Sequence, residues 1–178
     1  MRVFITLVVV AALAACESMP GFPGYISERT SQFDNSKEIT VEPAGVRGEG
    51  LTNPFSLGAQ WTSRAPDTVV LVVRVLGDYQ SIDSKQGLQF NIDNNILSLD
   101  SPQAITQLDA TQGPGTMQFR SSEKRFPIAL KDFDRIVHSK GTGVKVNTPR
   151  GYLEGRLIED QPMSALESLR KFRQTIPR

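Results

Sequence analysis

Residues 68–76 read TVVLVVRVL. This nearly continuous β-branched run constrains the fold more than any other stretch. Branching at Cβ stiffens the side chain and suits a pleated strand better than a helix. Near-continuous rather than alternating apolar character predicts a central strand buried on both faces. The run is too short to cross a bilayer, so it belongs to a core.

Around it lie further strand signals. Lys37–Val46 alternates weakly through Ile39 and Val41, and Pro54–Thr62 carries Phe55, Leu57 and Trp61. In Gly87–Leu99, Leu88, Phe90 and Ile92 alternate, and apolar residues resume after Asp93-Asn94-Asn95. That interruption reads as a hairpin turn, because Asn tolerates left-handed backbone angles. Met117–Arg120 and Phe126–Ala129 read as two separate short strands. Val144 and Val146 alternate with Lys145 and Asn147, Thr148-Pro149-Arg150-Gly151 is a turn, and Tyr152–Ile158 returns.

Two segments carry helical spacing. Leu130, Phe133, Ile136 and Val137 predict a short helix near 130–138, closed by Gly141-Thr142-Gly143. Met163, Leu166, Leu169 and Phe172 form the stripe of a C-terminal helix near 163–175, with Ser164 and Glu167 as a capping box. Arg170, Lys171 and Arg173 lie where positive charge suits that helix's dipole. The expected class is therefore α+β: a mostly antiparallel sheet or sandwich with two late helices.

Composition narrows the function classes. The 178 residues are 39% hydrophobic and 22% charged, which excludes a charge-rich disordered chain, a coiled coil and a collagen. Net charge is +1, so no large field exists to hold a nucleic acid. With one Cys there is no disulfide within the chain, and one His excludes any site of two imidazoles.

The first sixteen residues are MRVFITLVVVAALAAC. One positive residue, Arg2, precedes an uncharged, mainly apolar run from Val3 to Ala15, too short for a transmembrane helix. This is the pattern of a secretory signal peptide. Its end, Leu13-Ala14-Ala15-Cys16, resembles the lipobox of bacterial lipoproteins. The resemblance covers these residues alone and implies cleavage before Cys16, lipid on its sulfur and acylation of the new amino group. Two or three acyl chains, palmitate among them, anchor stably where one is marginal. Glu17 follows, and the absence of Asp at that position points, by the same resemblance, to the outer membrane facing the periplasm. The expected organisation is a signal peptide over 1–15, a lipidated Cys16 and flexible tether over 16–37, and one β-rich domain over 38–178. Residues 17–37 mix Pro, Gly, Ser and charge without apolar periodicity.

Catalytic and metal signatures are sparse. Gly45–Gly50 (GVRGEG) and Gly141–Gly143 (GTG) match neither a dinucleotide fingerprint nor a phosphate loop, and read as loop glycines. His138 follows Val137 at the expected end of a helix, where a polar or cationic residue suits exposed carbonyls. No GxSxG elbow occurs. Asp93-Asn94-Asn95 lacks the later Gly and Glu of a calcium loop, and Asp132 and Asp134 stand two apart on a helix, pointing away from each other. Arg120, Lys124 and Arg125, and again Arg170–Arg178, form basic clusters that suit a solvated face or anionic lipid. Cys16 is thus the one assigned site residue, with no catalytic, cofactor or metal site expected. The leading expectation is a non-catalytic binding or envelope-assembly accessory held to the membrane through Cys16, with an unidentified envelope protein or ligand as partner and no nucleic acid. The rival is an envelope hydrolase using carboxylates or a spatially assembled Ser/His/Asp site.

Overall fold

The β-branched run forms the middle of a six-stranded antiparallel sheet. The structure, a computed structural model, describes residues 22–49, 54–77, 79–112, 118–159 and 164–177. Ten strands lie among them: β1 (Ile26–Thr30), β2 (Lys37–Gly45), β3 (Ser56–Thr62), β4 (Thr68–Leu76), β5 (Leu88–Ile92), β6 (Asn95–Leu99), β7 (Gln107–Gln112), β8 (Gln118–Ala129), β9 (Thr142–Thr148) and β10 (Gly151–Leu157). The two helices are α1 (Leu130–His138) and α2 (Ala165–Thr175). The large sheet has the order β1-β2-β3-β4-β8-β7 and the small one β10-β9-β5-β6. The α+β, mostly antiparallel class is the one the patterning predicts.

The sheets share one core. The large sheet contributes Ile39, Val41, Leu57, Ala59, Val69, Leu71, Val73 and Phe126, and the small sheet Leu88, Phe90, Val144 and Val146. The helices fill the remainder. Phe133 of α1 meets Phe172 of α2 edge to face, with ring centroids 5.9 Å apart. Leu166, Leu169 and Phe172 are buried, so α2 is a core helix. Ser164 caps it by accepting from the Glu167 N–H at 3.3 Å.

β4 is central, but its second face is only partly covered: Val69, Leu71, Val73 and Val75 face the core, while on the opposite face Val72 is buried, Val70 and Arg74 are half-buried and Leu76 is exposed. The two short strands expected at 117–120 and 126–129 are parts of a single strand, β8. Its polar middle hid this, because Ser122 and Lys124 face inward where the pattern demands apolar residues. Both are engaged there. Ser122 Oγ accepts from the Gln80 N–H at 2.8 Å, and Lys124 Nζ donates to Ile82 O at 2.7 Å and Ser84 Oγ at 2.8 Å. These bonds fasten to β8 the crossover that leaves the large sheet after β4.

The tether expected over 16–37 is not free throughout. β1 pairs with β2 from Ile26↔Val41 to Thr30↔Lys37. Gly24 donates to Glu42 O at 3.0 Å, and any Cβ at this φ +76° position would collide with Ser168 Oγ of α2. From Phe22 onward the segment is therefore sheet edge. The β1–β2 turn is closed by Asp34, whose carboxyl is held far below the usual carboxylate range by the hydroxyls of Ser31 and Ser36, the Ser36 N–H and Arg64. Residues 1–15, expected to form a signal peptide, and Cys16 lie outside the described residues, as do Met117 and Met163.

The hairpin turns follow their residues. Asp93 and Asn94 take φ of 50° and 65°, the left-handed pair that a two-residue turn between β5 and β6 needs. Pro149-Arg150 joins β9 to β10, with Gly151 at φ 136°.

Candidate functional site

The outer face of the small sheet carries the candidate site. Strand alternation sends Leu88, Phe90, Val144 and Val146 inward and the intervening residues outward. The register then sets Ile96, Asn91, Gly143 and Arg156 side by side across β6, β5, β9 and β10. The next outward row is Ser98, Gln89, Lys145 and Glu154.

Gly143 leaves the middle of the first row without a side chain, and the floor dips there. The wall on one side is the chain that continues past β2. Arg47 bridges to Arg156 through paired backbone bonds, Arg47 N–H to Arg156 O at 3.3 Å and Arg156 N–H to Arg47 O at 2.7 Å. This close approach requires Gly155, since a Cβ there would stand 2.7 Å from Val46 Cγ1 and 2.8 Å from Arg47 O. Gly48 and Glu49 extend the wall, and Ile96, 62% exposed, forms the opposite rim. The result is an open groove of about 850 Å³.

Its chemistry is that of recognition. The side chains of Asn91, Glu154 and Arg156 carry no hydrogen bond or ion pair among the described residues. Gln89 donates to Ser98 Oγ at 3.0 Å, and Lys145 Nζ lies 4.4 Å from the centroid of the exposed Tyr152 ring. An amide, a guanidinium, a carboxylate and an apolar rim on a rigid sheet match an extended polar ligand, which takes hydrogen bonds along its length and apolar contact at one edge.

Both glycine groups set aside in the sequence meet here. Gly48 and Glu49 of the first build the wall, and Gly143 of the second makes the floor. Their local spacing matched no motif, because the feature is made by register between strands far apart in the chain.

The other candidates lie elsewhere. His138 ends α1, exposed, with Nδ1 2.7 Å from Asp134 O. Asp132 pairs with Arg135, and Asp134 takes a two-pronged contact from Arg173 at 2.5 and 3.2 Å. Asn95 Nδ2 closes its own turn on Asp93 O at 3.3 Å. The first basic cluster is dispersed by strand alternation: Arg120 lies over the Tyr79 ring, Lys124 is buried, and Arg125 donates outward to Gln60 and Glu123. In the second, Arg170 caps the end of α1 by donating to Val137 O at 2.5 Å and Ser139 O at 3.2 Å.

The Ser84–Lys124 contact pairs a hydroxyl with a buried amine. Burial pushes the Lys124 ammonium down from its ordinary value, and the charge of Asp83 opposes that shift. Ser84 Oγ is already committed to Gln103 O at 3.0 Å, and Lys124 Nζ to Ile82 O, so the pair serves as a loop anchor. Among the described residues no group of three or more His, Cys, Asp or Glu is placed to hold a metal ion, and no helix is long and apolar enough to cross a membrane. No protein-family model, curated protein or solved structure matches the chain.

Proposed function

We propose that the chain is a bacterial envelope lipoprotein, anchored through Cys16 at the periplasmic face of the outer membrane. Its folded domain acts as a non-catalytic binding or assembly accessory. The observation that carries this reading is Leu13-Ala14-Ala15-Cys16 at the end of a short apolar run with one preceding cation. The small-sheet groove supports the binding half of it, because its uncommitted Asn91, Glu154 and Arg156 offer donors and acceptors on a preformed surface. The ligand class that fits is an extended polar chain of another envelope component.

Metabolic labelling with palmitate tests the anchor. Wild-type protein is expected to take up label and to fractionate with the outer membrane. Cys16→Ser is expected to take up none and to remain unprocessed or leave the membrane fraction. Equal labelling of the two forms would refute the proposal.

A further inference from the structure

We propose that the end of the large sheet at which the chain enters the domain rests on the bilayer interface, with Phe22, Leu76, Tyr79, Leu108 and Arg120 as its contact residues. This rests on the lipid anchor proposed at Cys16 and assigns the domain an orientation.

The first observation is the length of the leash. Five residues, 17–21, separate Cys16 from Phe22. Even fully extended, those six Cα–Cα steps span roughly 21 Å, less than a small domain's diameter. From Phe22 the chain is committed: Phe22 O accepts from the Tyr25 N–H at 3.0 Å, Gly24 is clamped against β2 and α2, and β1 runs away from the entry point. The lipid therefore holds one particular end of the sheet close to the headgroups.

The second observation is what that end carries. Following the register from Gly45↔Ser56 through Ser56↔Arg74 to Arg74↔Glu123, the entry point lies level with the last turn of β4 and the first half of β8. Just beyond, Leu76 pairs with Ser121, Leu108 with Ser122, and Gly77 donates to Arg120 O at 3.0 Å. Of the eight large apolar side chains exposed among the described residues, Phe22, Leu76, Tyr79 and Leu108 all lie at this end. Ile96 and Tyr152 flank the groove, Phe33 caps the far end, and Ile105 lies midway.

Their chemistry is interfacial. Tyr79 presents a ring with a polar tip, and the Arg120 guanidinium lies 5.5 Å from its centroid. Such a pair places apolar carbon toward acyl chains and charge toward phosphate. The neighbouring carboxylates of Glu42 and Glu123 are engaged by Arg74, while Asp109, in the same outward row as Leu76 and Ser121, sets one negative charge at the rim of the patch.

The test uses the lipidated full-length protein in vesicles of phosphatidylethanolamine and phosphatidylglycerol with brominated acyl chains. Acylation occupies the Cys16 thiol, so Leu76→Cys or Phe33→Cys supplies a single site for an environment-sensitive fluorophore. Both positions are exposed, and the variants are expected to keep the wild-type melting curve. The expected result is vesicle flotation of both, with a blue-shifted and bromine-quenched probe at 76 and an unquenched probe at 33. Flotation with the probe at 76 unquenched, or with both quenched equally, overturns the orientation and leaves the anchor standing. Loss of flotation, with no acyl mass on Cys16, overturns the anchor and the orientation together.

Discussion

The outer faces of the two sheets are both polar, yet they are built on opposite plans. On the large sheet the polar groups neutralise one another across four strands. Glu42 contacts Arg74 on β4, Arg74 reaches Glu123 on β8 at 3.1 Å, and Glu123 lies 3.5 Å from Arg125. Arg125 then donates to Gln60 on β3, and Gln60 to Glu38 on β2. On the small sheet Asn91, Glu154 and Arg156 face a groove with no such partners among the described residues. On the large sheet Arg125 Nε is buried without an acceptor among the described residues, but the charges across these four strands are otherwise engaged with one another. Such a face gains little from a ligand, because a new bond must first break an old one. Asn91, Glu154 and Arg156 exchange only water.

The two sheets differ in their outer faces alone, since the inner faces share one core. Phe90→Ala on the small sheet and Phe126→Ala on the large sheet are each expected to cost about 3–5 kcal/mol, because both rings are fully buried. Both variants should melt in one transition, roughly ten degrees or more below wild type. Retention of the wild-type melting temperature by Phe90→Ala alone would separate the small sheet from the cooperative unit.

The next effect lies at the join between the sheets. Lys124→Ala removes the anchor of the crossover and should cost about 1–3 kcal/mol. Lys124→Met should cost less, since it fills the space and Ile82 O keeps the Thr106 hydroxyl at 3.3 Å. The two also differ in pH dependence from wild type. Burial holds the folded-state pKa of Lys124 below its ordinary value, so the unfolded chain binds the extra proton in the window between the two. Stability of wild type relative to Lys124→Met should therefore rise with pH through that window, as read from urea midpoints. A flat or falling difference would contradict the assignment.

These residues also mark how far the sequence is legible. β4, the hairpin turn at Asp93-Asn94, both helices and the Ser164 cap stand in the sequence because each is specified locally, by branching, by turn chemistry or by an apolar stripe. The two strands the patterning does not predict, β1 and β7, are the two edges of the large sheet. Ile26 is half-buried while Ser27, Glu28, Arg29 and Thr30 are exposed, so ISERT has no alternation to detect, and its strand state comes from pairing with β2. Ser122 and Lys124 broke β8 into two for the converse reason: they are polar residues whose inward position is set by the crossover they hold. The groove was illegible because Gly48, Asn91, Gly143 and Arg156 come from separate segments.

Smaller effects separate the outer faces directly. Glu123→Gln is expected to cost about 1 kcal/mol and to matter less in high salt, since its partners are partly exposed. Arg156→Ala should change stability by no more than about 0.5 kcal/mol, because its exposed side chain makes no hydrogen bond or ion pair among the described residues. Thermal melts at low and high salt check both. A large loss in Arg156→Ala would mean that the groove is a structural element.

Photo-crosslinking in cells tests the functional contrast most directly. A photoreactive residue at Asn91, in the groove, is compared with one at Thr40, on the outer face of the large sheet. Recognition through the groove predicts a discrete adduct with an envelope component from position 91, lost on Arg156→Ala, and none from position 40. A discrete adduct from position 40 with none from position 91 would contradict it.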